Sequence, residues 1–118
     1  MRGDARHTVL KFLLVVVLAV TSLSAAQRKQ TFTGSITDDM CANTAGHSRM
    51  RMGPTDAECT DACVLAHGAS YVLFDGKTVY MLSDQKTPKK FAGQKVRVVG
   101  TLDAKTRTIT VDSIAAEK

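Results

Sequence analysis

The sequence predicts a mostly β domain of five strands with one short helix. Three observations carry this. Apolar and polar residues alternate with period two from Thr31 to Asp38 and again from Gln94. An Asp75-Gly76 pair separates two runs rich in β-branched and aromatic residues. One helical stretch with start and stop signals lies inside a long interruption between the first two strands.

Residues 1–26 are set apart first. Arg2, Arg6 and Lys11 give a basic start, and Phe12 to Val20 is an unbroken apolar run of nine. Thr21 to Ala26 then supplies small residues, with Ser24 and Ala26 at the spacing a signal peptidase reads. This is the three-part layout of a secretory signal peptide. A membrane span needs roughly 20 apolar residues, about twice this run, so no stable membrane insertion is expected after cleavage. No cysteine follows the run and no arginine pair precedes it, so lipid attachment and twin-arginine export are not indicated.

The expected mature domain, 27–118, is one domain by length. The whole chain carries 16 Lys+Arg and 11 Asp+Glu, a net charge of +5. Removing Arg2, Arg6, Lys11 and Asp4 lowers that to +3. The remaining basic residues are dispersed, and the aromatics are Phe32, Tyr71, Phe74, Tyr80 and Phe91, mostly in strand patterns. Nucleic-acid binding wants a clustered basic face with stacking platforms, so it is not expected.

The elements follow in order. In the first strand Phe32, Gly34 and Ile36 face one way, with Thr31, Thr33, Ser35 and Thr37 opposite. Asp38-Asp39 reads as a strand end, not a catalytic pair, because adjacent residues point in different directions. Residues 39–70 interrupt the sheet. Their middle is polar and glycine-rich. Thr55 and Glu58 then form a capping box and Gly68 is a natural terminator, which predicts a helix over about 56–67. Tyr71 to Phe74 and Thr78 to Leu82 form a hairpin. The link Ser83 to Phe91 has room for a short helical turn, and its Lys86, Lys89 and Lys90 read as solvated. Gln94 to Leu102 and Thr108 to Ile114 close the domain. Ile114 breaks the parity set by Ile109 and Val111, which predicts a bulge near Asp112-Ser113.

This is the strand count and spacing of a small five-stranded OB-like barrel. The block Ala92 to Asp103, followed by Thr108 to Ile114, resembles the closing strands of small exported bacterial OB-like domains. With Gly34 to Cys41, Cys59-Thr60-Asp61-Ala62-Cys63 and Ala69 to Leu73, the chain resembles an uncharacterised family of such domains bearing a cysteine-containing insert. The resemblance implies the fold and brings no reaction or ligand.

Unusual chemistry is confined to the insert. It holds all three cysteines together with His47, His67, Met40, Met50 and Met52. On the helix Cys59, Cys63 and His67 fall at i, i+4 and i+8, with Ala62 and Ala66 widening that face. Cys41 and His47 come from the preceding loop. Three readings are open. In the first, Cys41 pairs with Cys59 or Cys63 in a disulfide that ties loop to helix, as an oxidising compartment favours. In the second, Cys41, His47, Cys59, Cys63 and His67 offer thiolate and imidazole ligands to copper or zinc, with the methionines tilting the choice to copper. The C-x₃-C spacing departs from common zinc motifs. In the third, Cys59 near a helix start is a reactive thiol, though Asp56, Glu58 and Asp61 oppose thiolate formation.

Motifs for covalent haem, zinc hydrolysis, phosphate cradling, dinucleotide binding and a serine nucleophile are absent. The expectation is therefore a non-enzymatic exported module. It needs no cofactor, has a disulfide-stabilised insert, and recognises an envelope ligand or protein. The alternative is a periplasmic copper or zinc protein.

Overall fold

A computed structural model describes residues 28–43 and 52–118. Residues 1–26, read from sequence as a signal peptide, and His47 and Met50 lie outside the described residues. The elements run β1 (Gln30–Asp38), α1 (Asp39–Asn43), α2 (Asp56–His67), β2 (Tyr71–Phe74), β3 (Val79–Leu82), a 3₁₀ turn (Thr87–Phe91), β4 (Lys95–Asp103) and β5 (Thr108–Ala116). The domain is mostly β, as the alternation predicts.

β1 is long enough to serve two neighbours. Its first part, Gln30 to Ser35, pairs antiparallel with Gly100 to Lys95 of β4, and Ser35 to Asp38 pairs antiparallel with Phe74 to Tyr71 of β2. β2 and β3 form the expected hairpin. Its turn is set by Asp75, whose Oδ1 accepts the Lys77 and Thr78 amides at 2.8 and 2.7 Å. Those donors hold the Asp75 carboxyl below its usual range. β3 meets β5 in parallel through Met81–Thr108 and Leu82–Ile109, and β5 runs antiparallel to β4. The strand order is β1-β2-β3-β5-β4, with β4 returning to β1, so each strand has a partner on both sides.

The predicted bulge is present. Val99 pairs with Ser113, but Gly100 pairs with Val111, leaving Asp112 as the extra residue. An inserted residue returns Ile114 to the core-facing side with Val111.

Ile36, Leu73, Val96, Val98 and Ile109 are fully buried at the centre of the sheet. Phe32 and Tyr80 close one side, with ring centroids 5.4 Å apart. Ala57 and Val64 of α2 pack onto the same core, so the insert's helix is part of the domain rather than an appendage. This accounts for one departure from the sequence reading. Thr37 belongs to the polar face of β1 by parity, yet it is buried, as is Asp38. α1 and α2 cover that end of β1 and bury both of its faces.

A candidate thiol metal centre

The site is built from β1, α1 and α2. Asp38 ends β1 and caps α1: its Oδ2 accepts the Cys41 amide at 3.0 Å, a short polar side chain satisfying an orphan helix donor. Asp39 fastens the other side of the turn. Its amide donates to the Ser70 carbonyl at 3.0 Å, and its Oδ1 accepts the Ser70 amide at 3.1 Å. The insert is thereby pinched where it leaves and re-enters the sheet, and Cys41 is turned inward.

α2 delivers the other two thiols. The capping box forms as the sequence predicts: the Glu58 amide donates to Thr55 Oγ1 at 3.2 Å, and the Thr55 amide to Glu58 Oε2 at 3.2 Å. Gly68 ends the helix in the left-handed region at φ 67°, and the Ala69 amide caps the Cys63 carbonyl at 3.3 Å. The Tyr71 hydroxyl donates to Asp61 Oδ1 at 2.7 Å and fixes the helix against β2. Burial and that carboxylate both push the Tyr71 phenol up. Asp61, read from sequence as an opponent of thiolate formation, is thus engaged elsewhere.

Cys41, Cys59 and Cys63 are all fully buried. The Cys41 sulfur lies 3.7 Å from that of Cys59 and 4.0 Å from that of Cys63, and all three sulfurs fall within 4.8 Å of one another. A disulfide needs about 2.05 Å, so these are three free thiols. Met40, Met52 and Ala69 pack around them and form an apolar wall.

Two expected ligands do not join this cluster. His67 is exposed at the end of α2 and is not part of the group. Each i+4 step turns about 40° around a helix. His67 therefore lies about 80° around from Cys59 and about 12 Å along the axis. Ala66 lies on the Cys59 side of the helix but about 10 Å further along the axis, and is exposed, while Ala62 is half-buried. The other, His47, lies outside the described residues.

Sequence reasoning missed Asp38. It is 0% exposed, and its Oδ1 has no hydrogen-bond partner. Among the described residues no cation pairs with it. A buried carboxylate oxygen without a partner is costly. Burial first, and then the Asp38 carboxylate, push the Cys41 thiol well up. The same two causes raise Cys63. Nothing in the local sequence marks this carboxylate, because its burial depends on α2 returning from residue 56. Its three-residue spacing before Cys41 is the one available hint.

Cys59, the thiol read from sequence as reactive, is fully buried like the other two, and a buried thiol out of reach of solvent is a poor nucleophile. The shifts also predict how stability depends on pH. With folded pKa values above the unfolded ones, both chain states are protonated below about 8.5. Above that the unfolded chain ionises first and gains, so the metal-free, reduced protein loses stability as pH rises. Tyr71 adds to the loss above about 10. Urea titrations under reductant and chelator should show a lower midpoint at pH 10 than at pH 7; equal midpoints would contradict the assignment.

Comparison with known proteins adds one match. A family model described as protein of unknown function (DUF5818) matches residues 64–117. That segment resembles an uncharacterised family. The match spans β2 to β5 and begins one residue beyond Cys63, so it covers most of the sheet and leaves out Asp38 and all three thiols. No curated protein and no solved structure matches the chain.

Proposed function

We propose that this is a small exported, non-enzymatic metal-binding domain. In this reading an OB-like barrel carries a thiophilic metal centre, made by Cys41, Cys59 and Cys63, in its first connection. The cyclic strand order with one parallel contact, β3 to β5, supports the OB-like reading. The basic and apolar start of the chain supports export.

Metal–thiolate bonds of about 2.3 Å at tetrahedral angles hold sulfurs about 3.8 Å apart, and the observed separations of 3.7 and 4.0 Å bracket that spacing. Three thiols in van der Waals contact have similar spacing, so distance alone does not decide. The carrying observation is the convergence of three fully buried thiols from two segments within 4.8 Å of one another, next to the buried Asp38 carboxylate that holds the Cys41 amide. A bound cation would compensate that carboxylate and the thiolates together. Cysteines bind a metal as thiolates, so loading releases thiol protons and binding weakens as pH falls.

A second reading is favoured by the 3.7 Å approach of Cys41 to Cys59. In it a disulfide between these two staples the insert, and the domain recognises an envelope ligand or protein through that surface. Closing a loop of about 20 residues contributes roughly 3 kcal/mol. Native mass spectrometry of the exported protein, reduced and then exposed to zinc or cuprous ion, separates the readings. One retained metal that is lost in Cys63→Ala supports the metal centre. A disulfide-linked, metal-free mass unchanged by exposure rejects it.

A further inference from the structure

β1 keeps part of one edge unpaired. In an antiparallel ladder successive residues direct their N–H and C=O groups to opposite sides. The Asp39 amide donates to the Ser70 carbonyl and the Ile36 amide to the Gln94 carbonyl. Odd-numbered residues of β1 therefore bond towards β2 and even-numbered ones towards β4. The far side of β4 agrees. The Glu117 amide donates to the Lys95 carbonyl, so Lys95 and Arg97 bond towards β5, and Arg97 leaves no backbone group for Thr33, its register neighbour. β2 stops pairing at Ser35–Phe74. Thr31 and Thr33 thus turn their backbone groups to a side where no strand follows among the described residues, and both are exposed.

The hairpin leaves this edge free because it passes beneath it. A Cβ on Gly34 would lie 2.5 Å from the Phe74 carbonyl oxygen and 3.2 Å from Cα of Asp75. Gly34 shares the core-facing side of β1 with Ile36, so the β2–β3 turn crosses on the inner side of β1 instead of running beside Thr33. Outside it lies a groove of about 420 Å³ lined by Thr33, Ser35, Phe74, Asp75 and Lys95 among others.

We propose that this edge takes up an extended acidic peptide as an added strand. The backbone of Thr31 and Thr33 supplies the main-chain bonds, and the groove receives side chains. Half-buried Phe74 gives an apolar contact. Lys95 lines the groove, and exposed Arg97 shares the face of Thr33. The acid in the lining, Asp75, already has its Oδ1 engaged by the Lys77 and Thr78 amides. A carboxylate on the incoming strand therefore meets two cations. A second copy of the chain fits less well. Two-fold pairing through this edge would bring Lys95 and Arg97 of both copies towards each other, and so short an edge falls far below the roughly 1,200 Å² of a stable interface. None of these residues belongs to the thiol cluster, so the proposal stands or falls apart from the metal centre.

A capped pentapeptide of alternating valine and glutamate, titrated into the exported protein and followed by amide NMR, tests this. Saturable shifts confined to residues 31–35 and 74–76 are expected, with slower hydrogen exchange at the Thr33 amide. Lysine in place of glutamate, or N-methylation of the peptide amides, should abolish them. Lys95→Glu should weaken binding about two- to fivefold. Thr33→Pro removes an N–H that β4 does not use and should abolish binding. Absent shifts, or shifts that survive lysine substitution or N-methylation, overturn the proposal. A Thr33 amide already protected without peptide also overturns it: protection that grows with protein concentration gives the edge to a second copy, and protection independent of concentration gives it to the chain itself. If Thr33→Pro does not fold, the N-methylated peptide on the parent protein still decides.

Discussion

Zinc is expected to raise the unfolding free energy of the reduced protein by about 4 kcal/mol when free zinc is a thousandfold above its dissociation constant. For a domain of this size that corresponds to an increase in melting temperature of about 20 °C. The size of the effect follows from where the three thiols come from. Cys41 belongs to α1, at the end of β1, while Cys59 and Cys63 sit on α2. In the unfolded chain these segments are independent, so the binding free energy becomes folding free energy. Cys41→Ser should abolish most of the gain, because the hydroxyl is a poor ligand for a thiophilic ion.

Hydrogen exchange locates the effect. Without metal, the amides of α1 and α2 should exchange faster than those of β4 and β5, whose ladder is the longest in the domain. Loading should slow the helices most. Identical melting temperatures with zinc and with chelator would remove the metal centre from consideration. A gain obtained only with oxidant would move the weight to the Cys41–Cys59 disulfide.

Gly100→Ala is expected to cost about 3 kcal/mol or more, the upper end for overpacking a well-filled site. A Cβ at Gly100 would lie 2.2 Å from the Thr110 carbonyl oxygen and 2.8 Å from Cγ2 of Ile109. The first neighbour is backbone and the second belongs to a fully buried core residue, so neither yields without disturbing the sheet. The position also adjoins the register shift between β4 and β5, where the bulged strand crowds its partner. Gly68→Ala makes the contrast. Nothing lies within 4 Å of its added Cβ, and the cost comes only from the left-handed φ of 67°, about 1 kcal/mol. Urea denaturation of the two variants should separate them clearly; equal losses would show that the close approach at Gly100 is relieved by movement of β5.

The sequence by itself determined the local elements of this protein. Thr55, Glu58 and Gly68 bound α2 through contacts within a few residues, so the helix 56–67 was legible from its ends. Asp75-Gly76 marked the hairpin because a turn's hydrogen bonds are equally local. Even the bulge at Asp112 was visible, since a broken parity at Ile114 records an extra residue along one strand. Only the tertiary structure decided the composition of the site. It brought Cys41 to Cys59 and Cys63, moved His67 out to solvent and buried Thr37 and Asp38 under a helix that begins 18 residues after β1 ends. The physical reason is that caps, turns and alternation are set by neighbours along the chain. Burial of a carboxylate, and convergence of sulfurs from two segments, depend on which surfaces remain exposed once those segments have packed.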